Sequence, residues 1–218
     1  MLKENSMLRR EASEALAGNW GMAAVVALIY LCVSVTAQLM MDTTDGVGNL
    51  YILGLLLSLF ICTPLVWGMY MVFYEVCRSR KLELGILFDG FKDYGRVFGT
   101  MFLMGLYTVL WSLLLFVPGV IKACSYAMTP FILRDDPGLS YNAAIEKSMA
   151  MMEGHKMKYF LLCLSFIGWF LLCLLSLGIG FLFLIPYVST ANAAFYEDLK
   201  REAIQGGNTD AEEDAMQA

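Results

Sequence analysis

The feature that most limits what this chain can become is a series of long apolar runs. "WGMAAVVALIYLCVSVTAQLMM" (residues 20–41) and "LYILGLLLSLFICTPLVWGMYMVFY" (50–74) each match the ~20 residues a helix needs to cross a bilayer. Further runs cover 97–117, 119–133, 159–177 and 178–196. A barrel strand would alternate apolar and polar residues over about ten positions. These runs are apolar on every face, and a helix satisfies all its backbone groups internally. The expected fold is all-α: a polytopic integral membrane protein with six transmembrane helices in three hairpins. The composition agrees, with 59% hydrophobic and 16% charged residues, against about 25% charged in soluble domains.

The bases give the orientation. Fourteen of the fifteen Lys and Arg residues precede the first run, follow the sixth, or lie between the second and third or the fourth and fifth. The intervening connections, "DTTDGVGN" (42–49), Pro118-Gly119 and Leu177-Gly178, contain none. The positive-inside rule then predicts that both termini are cytoplasmic. Residues 1–19 read as a cytoplasmic amphipathic helix, 20–202 as the membrane domain and 203–218 as a disordered acidic tail. Glu4, Glu11 and Glu14 among the early bases argue for a retained first helix over a cleaved signal peptide.

The cytoplasmic segments carry helical stripes of their own. Leu8, Ala12, Ala15 and Leu16 form one. Leu84, Phe88, Phe91, Gly95 and Phe98 form a second. Tyr141, Ile145, Met149 and Met152 form a third, after an expected N-cap at Ser140. A surface helix followed by two spans thus recurs three times. Pro64, Pro118 and Pro186 fall in corresponding places, and "PLVWGMYMVFYE" and "PYVSTANAAFYE" share an aromatic-Tyr-Glu ending at the same offset. Gly18, Gly95 and Gly154 read as bends between surface helix and span.

The segments "GNW", "LFDGFKDYGRVF", "PGVIKACSYAMTPFIL", "GHKMKYFLLCLSFIGW" and "PYVSTANAAFYEDL" resemble an uncharacterised bacterial integral-membrane family, domain of unknown function nine-seven-five. The resemblance covers nearly everything except the acidic tail. More loosely, the layout is similar to the membrane domain attached to some bacterial glycerophosphodiester phosphodiesterases, whose catalytic domain this chain lacks. The resemblance implies a six-helix protein of the cytoplasmic membrane of Gram-positive-type bacteria. It brings no activity and no site.

Chemistry has few places to reside. The net charge of -5 argues against nucleic acid. Six cysteines without a C-x-x-C pair, and one histidine, offer no zinc set, no metal site and no cofactor. Lys122 is the one base inside a run. It reads as an anchor snorkelling to headgroups about 5 Å below a Pro118-Gly119 turn, or as a buried cation for an anionic headgroup or solute. Tyr126 shares its helical face. Gln38, Thr129, Ser189, Thr190 and Asn192 are the other intramembrane polar groups, suited to interhelical bonds or to lining a pathway. Asp89, Lys92, Asp93, Glu146, Glu153 and His155 read as a solvated face. The expectation is a non-enzymatic accessory, scaffold or amphiphile-handling protein. Its partners would be membrane lipids, other membrane proteins or a second copy. The alternative is a small transporter or channel, in which Lys122, Tyr126 and Asn192 would converge on one cavity.

Overall fold

The computed structural model describes the backbone of residues 2–42, 48–139 and 141–217, with side chains through residue 205. Most of the 42–49 connection and the Ser140 cap lie outside the described residues. The fold is all-α. Helix α1 (Asn5–Leu16) buries Leu8, Ala12, Ala15 and Leu16, the stripe the sequence predicts. Gly18, at φ 85°, turns the chain into α2 (Trp20–Asp42). Then α3 (Asn49–Leu56), a π-turn (Leu57–Cys62) and α4 (Thr63–Ser79) run on as one 31-residue helix. Pro64 removes a backbone donor, and the widened turn lies immediately before it.

The next segment departs from expectation. Residues 84–98 do not form one amphipathic α-helix but a 3-10 helix (Leu84–Phe91) followed by α5 (Tyr94–Leu114). A period of three puts Leu84, Leu87 and Gly90 on one face in place of Leu84, Phe88 and Phe91. Leu87 and Gly90 are buried and Phe88 is exposed. Gly95 lies within α5 rather than at a bend. The turn expected at Pro118-Gly119 also lies elsewhere. The chain reverses at Leu115, and α6 (Phe116–Tyr126) begins at once. Pro118 falls in the first turn of α6, where a missing N–H is tolerated. A break at Ala127-Met128 precedes α7 (Thr129–Asp135), whose first turn holds Pro130, where a missing N–H is tolerated.

Helix α8 (Asn142–Met151) buries Ala144, Ile145 and Ser148; Met152 is buried beyond its end and Tyr141 is exposed. It packs beside α5, α6 and α7. Gly154, at φ 79°, leads into α9 (Lys156–Leu164) and α10 (Ile167–Leu175). Leu177 and Gly178, both at positive φ, turn the chain into α11 (Phe181–Gln217). The backbone of α11 stays helical into the tail whose composition predicts disorder. Ala, Glu and Met there are good helix formers. All six cysteines are free.

One packing scheme repeats three times. The pairs are α2 with α3–α4, α5 with α6–α7, and α9–α10 with α11. The inner helices α4, α7 and α11 meet at the centre. Each outer helix also packs on a neighbouring hairpin: α5 on α4, α9 on α6, and α2 on α11. The short helices follow suit, with the 3-10 helix on α4, α8 on α7 and α1 on α11. Helix α1 thereby closes a ring, and the Lys3 backbone N–H donates to the Asp198 carboxylate at 2.6 Å.

Among the described residues, five helical segments are long and apolar enough to cross a membrane: Trp20–Asp42, Asn49–Ser79, Tyr94–Leu114, Phe116–Asp135 and Lys156–Leu175. The sixth predicted run forms the start of α11 and is not among them. Pro186, Ser189, Thr190 and Asn192 lower its apolarity.

Candidate functional site

Moving the turn to Leu115 moves Lys122 as well. It lies seven residues along α6, about 10 Å from the reversal rather than 5 Å. It is half-buried. Its amine sits 5.2 Å from the centre of the Trp111 ring of α5 and 3.7 Å from Met149 Sδ of α8. A cation over an indole gains about 0.5–2 kcal/mol, more as water is excluded. Tyr126 is buried on the same helix, beside the same indole. Lys122 and Tyr126 are therefore organised around Trp111, which the sequence reading missed. A tryptophan near the end of an apolar run is an interfacial signal in its own right.

The other predicted polar residues do not join them. Gln38 is exposed and donates to Asp42 Oδ1 at 3.1 Å, at the far end of α2. Ser189 and Thr190 are buried on α11, where Thr190 Oγ1 donates back to the Pro186 carbonyl at 2.8 Å. Thr129 Oγ1 and Asn192 Oδ1 are buried and have no hydrogen-bond partner among the described residues.

A dense polar cluster lies at one end of the three inner helices. Asp135 of α7 accepts from Tyr74 at 3.0 Å, from Tyr196 at 3.1 Å and from Lys200 Nζ at 2.5 Å. The Tyr74 hydroxyl also lies 2.7 Å from Glu197 Oε1, so one donor faces two carboxylates. Arg78 stands 3.8 Å from each acid. Above them the rings of Tyr74, Phe131 and Tyr196 pack mutually, with centroids 5.2–5.7 Å apart. Each inner helix thus supplies an aromatic residue and, four positions on, a charge: Tyr74/Arg78, Phe131/Asp135 and Tyr196/Lys200. The shared Tyr-Glu ending found two of these helices. Reading one turn further would have found the third. Pro64 and Pro186 keep the register, each ten residues before its tyrosine, whereas Pro118 stands thirteen before Phe131. Two acids face two bases, so the cluster is electrically balanced. It borders a cleft of about 530 Å³ that Asp136 and Lys147 also line.

The residues expected to form a solvated face are partly tied down. Asp89 pairs with Lys92 at 2.7 Å and with Arg134 at 3.2 Å. Burial pushes its carboxyl up, but the two cations outweigh that and hold it below the usual range. His155 lies 3.8 Å from Glu202. Among the described residues no group of three or more His, Cys, Asp or Glu could hold a metal ion.

Two apolar clefts open on the flanks. One, about 470 Å³, is lined by Trp20, Trp169, Cys173 and Phe183. The other, about 530 Å³, runs between α6 and α9.

A family model described as "Protein of unknown function (DUF975)" matches residues 1–126 and 114–203. No curated protein and no solved structure matches the chain. The looser similarity to the glycerophosphodiester phosphodiesterase membrane domain finds no support.

Proposed function

The chain belongs to the DUF975 family of proteins of unknown function, and we propose that it is a non-enzymatic multi-pass membrane protein that handles lipids or other amphiphiles. In this reading six helices cross the bacterial cytoplasmic membrane in three hairpins, with both termini on the basic, cytoplasmic side.

The observation that carries the reading is a filled axis with open flanks. Tyr74, Phe131 and Tyr196, at 2%, 1% and 3% exposure, occupy the centre where the inner helices meet. Two buried donors are paired within the bundle: Trp67 Nε1 donates to the Pro130 carbonyl at 3.1 Å, and Ser148 Oγ donates to the Ser125 carbonyl at 2.8 Å. A solute pathway needs continuous polar lining. The clefts on the flanks are lined mostly by apolar side chains and face the space that lipid would fill.

Purified protein reconstituted into liposomes should leave anion and amphiphile permeability at background. Its thermal stability should depend on which lipid is supplied. Flux that is abolished by Lys122→Met would favour the transporter reading instead.

A further inference from the structure

We propose that the groove between α6 and α9 holds one acyl chain of an anionic phospholipid, with the phosphate at Lys156. This rests on the lipid-handling reading and assigns it a place. One wall of the groove is Phe116, Val117 and Ile121 of α6; the other is Met157 and Phe160 of α9. All five are exposed apolar side chains. The volume, about 530 Å³, falls within the ~300–1,000 Å³ of small-ligand sites.

Length and charge select the occupant. Lining residues run along α6 from Phe116 to Cys124, eight positions or about 12 Å. One leaflet of a ~30 Å hydrocarbon core is about 15 Å deep, so the groove takes most of the length of one acyl chain. Lys156 is the single charged residue of the lining. It opens α9, where the first amide groups point outward with the positive end of the helix dipole. An amphiphile with a negative head therefore meets the amine and the helix end at once, with its chain directed along α6. The walls are open sideways, so the second chain of a phospholipid can remain in the bilayer.

The test uses the full chain in phosphatidylcholine nanodiscs doped with phosphatidylglycerol, with retained lipid counted by native mass spectrometry. The wild type should retain one phosphatidylglycerol with about fivefold preference, the value of one lysine near an anionic surface. Lys156→Gln should erase the preference and leave phosphatidylcholine retention unchanged. Ile121→Trp should fill the groove and lose the retained lipid of either kind. Both variants must elute as the wild type does. If Ile121→Trp retains the lipid, or Lys156→Gln keeps the preference, the site is wrong while the lipid-handling reading stands. A wild type without any lipid preference overturns both. Displacement of phosphatidylglycerol by an equal concentration of oleate overturns the choice of a phospholipid.

Discussion

Three donors converge on the Asp135 carboxylate, from Tyr74, Tyr196 and Lys200, and its side chain is 17% exposed. Removing the acid leaves the Tyr196 hydroxyl without its acceptor, and leaves Tyr74 and Lys200 with Glu197 alone, at 2.7 and 3.8 Å. Breaking a buried pair from one side costs about 3–5 kcal/mol, less where water can enter, so Asp135→Ala should cost about 3 kcal/mol. Tyr74→Phe keeps the ring and removes one hydroxyl, for a loss of about 1 kcal/mol. Thermal unfolding in mild detergent should rank the two in that order, and equal losses would show that ring packing dominates. Asp89 gives a separate pH signature. Its carboxyl is held below the usual range by Lys92 and Arg134, so its tie to α7 is fully present above the unfolded value of about 3.9. That contribution is lost as pH falls through the lower folded value. Asp89→Asn should flatten this part of the melting-temperature profile below about pH 4 and leave other acid transitions in place.

At the scale of elements, the contact between α4 and the 3-10 helix is made by backbone. A Cβ on Gly68 would stand 1.9 Å from the Leu87 carbonyl oxygen, and one on Gly90 would stand 2.5 Å from the Pro64 carbonyl oxygen. Neither oxygen can swing away as a side chain could. Gly68→Ala should therefore destabilise by about 1–3 kcal/mol, the usual cost of overpacking. Gly95→Ala, where a Cβ meets nothing within 4 Å, is the control and should be near neutral. This contact also marks where the sequence stops being legible. Helix α1 was readable because a period of 3.6 filled one face with Leu8, Ala12, Ala15 and Leu16. The 3-10 helix was not, because a stripe at spacing four assumes an α-helix, and Gly68 and Gly90 leave no apolar mark. The reversal at Leu115 was missed for a related reason: Pro118-Gly119 looks like a turn but also suits the first turn of a helix. Of the candidate site, Lys122 and Tyr126 were visible as polar residues in an apolar run. Trp111 and Met149, which hold Lys122, come from other helices that only the packing brings near. The Asp135 cluster sits at run ends, where charges look like ordinary solvated residues.

For the whole molecule the number of crossings turns on α11. Its composition falls short of the other five segments, yet Ala191, Ala193, Ala194, Phe195 and Thr190 on it are all buried by neighbouring helices. A helix at the centre of a bundle meets protein rather than lipid, so small and polar residues there cost less than they would on an outer helix. The ring closure gives a second argument. If the first five segments crossed and α11 did not, Lys200 and Arg201 would lie across the membrane from Lys3, Arg9 and Arg10. The Lys3 amide bonds to Asp198 at 2.6 Å, which puts the start of the chain and that part of α11 on one face. Only an even number of crossings satisfies that bond and keeps the fourteen outlying bases together. In a cysteine-free background, Asn49→Cys should react with a membrane-impermeant maleimide on intact cells. Arg80→Cys and Arg201→Cys should react only after the membrane is opened. Labelling of Arg201→Cys on intact cells, with Arg80→Cys still protected, would mean an odd count and would break the ring that α1 and α11 form.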